Sequence, residues 1–163
     1  MDIFDFLRNN GTDNNSHSGR NLMEHLVGTA ELLMEWKCDK DIVLAGLCHS
    51  IYGTDSYHTV TVDPSKRDEV RALIGEKAEA LAWEFGNRKN PRIVSFIENK
   101  ETELVVIECA NLIEQKVEPY HLAAALVADI PTTVRESVNN YRSEEHTSEL
   151  QSHHDLVCRL LLE

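Results

Sequence analysis

The sequence predicts an all-α fold, a single compact helical domain, and three observations carry that expectation. Apolar residues recur at three- and four-residue spacing along most of the chain. Two segments, Lys40 to about Ile51 and Thr102 to Gln115, are apolar on nearly every side, as helices in the centre of a domain are. No segment implies a sheet.

Taken in order, residues 2 to 8 form a short amphipathic helix through Ile3, Phe4, Phe6 and Leu7, ended by the turn-rich run Asn9 to Asn15. Ser16 or Ser18 is placed to cap the next helix, which carries Leu22, Leu26, Thr29 and Leu33 inward and closes near Trp36. Asp39 caps the first central helix. Tyr52 to His58 breaks the periodicity, and Thr59 to Val62 is briefly extended before Pro64 and Ser65 open another helix. A short helix through Val70, Leu73 and Ile74 follows, then one from Glu76 to Phe85 with Ala78, Leu81, Ala82 and Phe85 inward. Gly86 to Pro91 reads as a surface turn. Helix resumes over Arg92 to Asn99 and in the second central helix, which departs from apolar character at Glu108 and Asn111. Pro119 suits a first helical turn, and Thr132 to Asn140 makes a last short helix. Trp36 and Trp83 are read as packing residues.

Composition narrows the function classes. At 42% hydrophobic and 27% charged the chain has the balance of an ordinary globular domain. No stretch reaches the roughly 18 apolar residues of a membrane span, and the acidic start lacks the basic region of a signal peptide, so a cytoplasmic address is expected. The formal net charge of −12, without a basic stripe, argues against a nucleic-acid or anionic-lipid partner and for a small-molecule ligand or another protein. Cys38, Cys48, Cys109 and Cys158 show no CxxC spacing and are read as reduced thiols.

The last stretch, residues 142–163, is set apart. The run Arg142 to Ser152 is similar to what a common short-read sequencing adapter encodes in one frame, and Asp155 to Glu163 continues the likeness. The domain is therefore taken as residues 1–141 and the remainder as an adapter-derived tail, so His153, His154 and Asp155 are assigned no role.

Chemistry is suggested by polar groups on apolar helices. His25 and His49 lie on two core helices and Glu108 and Asn111 on a third, and buried polar groups must satisfy one another, so the four are expected to converge. Each alone is as well explained as a hydrogen-bonded core residue. Glu108 is expected either to pair with a buried histidine or to act as a catalytic base or ligand. His17 lies eight residues before His25, about 80° away on a continuous helix, or else in a preceding loop. Tyr52 and Thr54 sit in the loop after the central helix, a common place for ligand contacts.

The string opening at His25, followed by Leu44 to Ser50 with His49 at its end, resembles an HD domain. In that family a helix-borne His, a His-Asp doublet and a later Asp bind one or two metal ions. Position by position, His25 and His49 fall on the first two ligands, Ser50 on the doublet aspartate and Asn111 on the last aspartate. The wider pattern, His17 to Arg20, Glu24 to Thr29, Trp36 and His49 to Thr54, is similar to a family of HD-like domains of bacteria and plants in which serine is the ordinary occupant. The resemblance implies an HD-like architecture, a site of His25 and His49 for a divalent metal (Zn, Fe or Mn), and ligand-binding positions at His17, Ser50, Tyr52, Thr54 and Asn111.

The substitutions change the chemistry. An ion held by neutral imidazoles, Ser50 and Asn111 keeps nearly all its charge, so magnesium or manganese should bind poorly, while zinc could use His17, His58 or Glu108 to complete a shell. Hydrolysis of the HD type needs metal-bound water. The leading expectation is thus a degenerate HD-like domain that binds a small ligand, a nucleotide or other phosphorylated compound among the candidates, without turnover. The alternatives are a metal-dependent phosphohydrolase with an atypical His-rich site, an iron-dependent oxygenase, and a non-catalytic helical interaction domain.

Overall fold

The computed structural model describes residues 1–17, 19–117 and 119–144, so that most of the expected tail lies outside the described residues. The chain is an all-α fold in one domain. Helix α1 (Ile3–Asn9) is capped by Asp2, whose side chain accepts from the Asp5 amide, and buries Ile3, Phe4, Phe6 and Leu7. Before the second helix the chain forms a two-strand hairpin, β1 (Ser16–His17) antiparallel to β2 (Arg20–Asn21). This corrects the expectation of no sheet, and also that of a serine cap. Asn21 is the N-cap of α2 (Leu22–Glu35), its side chain accepting from the Glu24 amide at 2.8 Å while Glu24 reaches back to the Asn21 amide.

Helix α3 (Lys40–Cys48) is buried on nearly every side, as expected, but ends one turn earlier than Ile51, and Asp39 makes no side-chain cap bond. It packs against α2 and against α5 (Glu76–Asn87), with α4 (Arg67–Ile74) on its flank. The close approach of α2 and α3 depends on Gly46. A β-carbon there would stand 2.3 Å from Leu33 Cδ1. Residues 59–62, expected to be extended, form no strand; the Thr61 and Val62 amides instead donate to the Ile51 carbonyl, closing the loop after α3.

Helices α6 (Arg92–Glu98) and α7 (Thr102–Glu114) complete the core, α7 lying along α2. A 3-10 segment, Pro119–Val127, replaces the expected helical turn, and α8 (Thr132–Ser143) runs slightly past the expected domain end. Arg135 fixes α8 to that segment by donating to the Leu126 and Ala128 carbonyls. Leu26, Leu33, Leu47, Ile51, Phe85, Phe96 and Ile107 are all fully enclosed, and burial of this kind stabilises by about 1.5–3 kcal/mol per large side chain. Among the described residues no helix is long and apolar enough to cross a membrane.

Candidate functional site

The three central helices bring their polar residues to one place. His25, on α2, is fully buried, and His49, in the turn that ends α3, is 1% exposed. Their Nε2 atoms are 3.0 Å apart. His49 Nδ1 lies 2.6 Å from the Gly46 carbonyl, which can only accept, so Nδ1 carries the hydrogen and Nε2 a lone pair. On the far side of His25, Nδ1 meets the Glu114 carboxyl of α7, whose other oxygen takes Arg20 from the hairpin.

These contacts form a ladder from Glu114 through His25 and His49 to Gly46. Its three links need three hydrogens. Burial pushes the His25 imidazole down to about 3 and holds His49 well below its usual value, while burial lifts the Glu114 carboxyl against the pull of Arg20. All three shifts favour neutral partners. With neutral partners, a carboxyl hydrogen on Glu114, Nε2–H of His25 and Nδ1–H of His49 would satisfy every link.

Asn111, also on α7, stands beside the ladder with Oδ1 at 3.2 Å from His49 Nε2. Its orientation is fixed from both ends: Nδ2 donates to Glu108 Oε2 at 3.0 Å, and Gln115 Nε2 donates to Oδ1 at 2.7 Å. A buried histidine partner was one of the two expectations for Glu108. It faces Arg92 instead, with Oε1 at 3.3 Å from Nε, and Glu114 takes the histidine. Burial pushes the Glu108 carboxyl up to about 7, opposed by Arg92 and Asn111.

Over Asn111 opens a cavity of about 490 Å³, within the range of small-molecule sites. The hairpin contributes Ser16 and His17, the turn after α3 contributes Ser50, Thr54, Ser56 and Tyr57, and α5 contributes Phe85. Asn90, Pro91, Arg92 and Ile93 close it from the start of α6, with Glu108, Asn111, Leu112, Gln115 and Val117 on the remaining side. His25 and His49 are not among the lining residues. Both are buried, the His17 ring stacking on His25 at 4.2 Å and meeting Tyr57 edge-on at 4.6 Å, and the Phe85 ring meeting His49 edge-on at 5.0 Å.

Of the residues expected to bind a ligand, His17, Ser50, Thr54 and Asn111 line the cavity. Tyr52 does not. Its hydroxyl donates to Glu79 of α5 at 3.1 Å, within a cluster that includes Arg67 and Arg71. His58, a reserve ligand, is exposed. Sequence reasoning missed Glu114, Arg20, Arg92 and Tyr57. A signal existed for Glu114: Gly28 lies one turn after His25, and only a residue without a β-carbon leaves room there for the carboxyl.

The metal expectation can be tested against the donor set. Among the described residues no three His, Cys, Asp or Glu side chains gather as ligands. The Nε2 separation of 3.0 Å is a hydrogen-bond distance, shorter than the ~3.3 Å that follows for two nitrogens tetrahedrally bound to zinc at about 2.05 Å. The two nearby carboxyls are engaged elsewhere, one with Arg20 and His25, the other with Arg92. The set does not fit a hard divalent ion.

The class defined by fold and site is an all-α domain with a histidine ladder sealed beneath a polar cavity. The chain belongs to the family described as a domain of unknown function, DUF6817, whose profile matches residues 6–89. That match runs from within α1 through α5 and takes in His17, His25, His49, Ser50 and Tyr57, but not α7. No curated protein and no solved structure matches the chain.

Proposed function

We propose that this chain is a small-molecule-binding domain of HD-like build that holds its ligand in the cavity above Asn111 without metal-dependent turnover. The observation that carries the reading is the division of the site into two layers. The histidines at the positions of HD metal ligands are closed on each other and on Glu114, while hydroxyls and amides from four separate elements face an open volume. A rigid helical floor with a few convergent polar groups is the usual build of a ligand site.

A thermal-shift screen of a small-molecule library on the full chain tests it. Hits should stabilise the wild type and lose their effect in Ser56→Trp, which plugs the exposed rim. A library without such hits sinks the reading.

A second reading is favoured by one specific feature. With Glu114 ionised, His25 Nε2, His49 Nε2 and Asn111 Oδ1 would present three lone pairs to one another, and a borderline ion such as zinc would relieve that repulsion in place of the proton. Stoichiometric zinc uptake by the wild type, absent from His49→Ala, would establish this second reading in place of the first.

A further inference from the structure

The charge inventory of the cavity says what kind of ligand it suits. Arg92 is the one Lys or Arg among the described lining residues, and it is 4% exposed with its guanidinium over the Phe85 ring at 4.6 Å. Glu108 sits 3.3 Å from its Nε and is itself 4% exposed. With Glu108 ionised the pair is self-neutralised, and a phosphate dianion entering beside it would face a carboxylate with no second Lys or Arg among the described lining residues to compensate.

What the cavity offers instead is uncharged hydrogen bonding. Ser16, Ser50, Thr54, Ser56 and Tyr57 supply hydroxyls, each able to donate and to accept. Three polar atoms of described wall residues make no hydrogen bond within the protein: the Tyr57 hydroxyl, Nδ1 of His17, whose residue is 7% exposed, and Arg92 Nε, which meets Glu108 only as an ion pair. A buried polar atom left so is costly, and a ligand hydroxyl would satisfy it. Phe85, Pro91, Ile93, Leu112 and Val117 add apolar surface of the kind that packs against a ring.

We infer that the cavity takes an uncharged, hydroxyl-bearing ring compound, a nucleoside or monosaccharide without its phosphate, and that Glu108 is the specificity residue that turns the phosphorylated relatives away. The inference rests on the reading of the cavity as a ligand site and narrows that ligand to one chemistry. Tyr57 supplies the recognising hydroxyl. Glu108 acts through Arg92, by occupying the one Lys or Arg among the described lining residues.

The test is calorimetric titration of the full chain at pH 8.5 with adenosine, ribose, adenosine 5′-monophosphate and ribose 5-phosphate. At least one neutral probe should bind, with its phosphorylated counterpart tenfold or more weaker. Glu108→Gln should narrow that gap to under threefold by admitting the phosphorylated probe, and Tyr57→Phe should weaken the neutral probe about tenfold. The wild-type comparison stands even if Glu108→Gln fails to fold. Phosphorylated probes that bind the wild type as tightly as neutral ones overturn the inference while leaving the ligand site intact. Silence from all four probes at millimolar concentration overturns it too, and the library screen then decides separately whether the cavity binds anything.

Discussion

Glu114 lies against Gly28 so closely that a β-carbon on that glycine would stand 2.7 Å from Oε1 and 3.0 Å from Cγ. The carboxyl cannot swing aside, because Arg20 holds one oxygen and His25 the other. The glycine is thus what lets α7 hand its carboxyl to a histidine on α2.

Gly28→Ala should therefore destabilise the fold by about 1–3 kcal/mol, through displacement of Glu114 rather than through any helix-propensity loss, since alanine is the better helix former. The double variant with Glu114→Ala separates the two. Denaturant titration should show strong non-additivity, with Gly28→Ala costing little once the carboxyl is gone. Additive losses would mean that the glycine serves some other contact.

Gly46 poses the same question where no polar group is involved. Its missing β-carbon accommodates Leu33, which is fully buried, so Gly46→Ala should cost about 1–3 kcal/mol and Leu33→Val should recover part of that loss. Melting temperatures of the wild type, the two single variants and the double variant suffice.

The chemistry of the ladder can be altered by one atom. Asn111→Asp replaces an amide oxygen by a carboxylate beside the two Nε2 atoms, supplying the charge whose absence makes the present set a poor metal site. Zinc affinity should rise at least tenfold over the wild type, read by calorimetry, with a further gain in the Ser50→Asp, Asn111→Asp double variant if it folds. Unchanged affinity would mean that the histidines cannot open to admit an ion.

Besides the buried His25 and His49, whose lowered values also cost stability in acid, Glu79 contributes an acid limb of its own. Burial would lift the Glu79 carboxyl, but Arg67, bonded through Nε at 2.7 Å and Nη2 at 3.0 Å, together with Tyr52 and Arg71, holds it below the usual range. A depressed carboxyl contributes stability that is complete above its unfolded value of about 4.3 and is lost as pH falls through the folded value. Glu79→Gln should lower stability at pH 7 by roughly 1–3 kcal/mol and flatten the stability profile below about pH 4.5. A parallel acid limb in the two proteins would show that Glu79 is not the group responsible.

The sequence made much of this site readable, for a physical reason. His25, His49 and Asn111 interrupt helices that are otherwise apolar, and an interruption of that kind must find a partner in the interior. Glu114 escaped because it sits in the last turn of α7 beside Gln115 and Lys116, where a carboxylate is ordinarily solvated. Only the hairpin that brings Arg20 over it, and the groove at Gly28, enclose it. Arg92 escaped likewise, following a stretch read as a surface turn although its side chain lies over Phe85. The hairpin itself was invisible, since two-residue strands leave no periodicity, and with it went the location of His17 and the identity of the α2 cap.

That hairpin has a mechanical consequence. Its first strand places His17 on the cavity wall against Tyr57, and its second sends Arg20 to Glu114, with His17 and Arg20 directly paired in register. The two contacts therefore share a single rung: an occupant that ordered His17 would be expected also to order the guanidinium that joins α7 to α2, and loss of Arg20 to weaken the hold on that occupant by the same coupling.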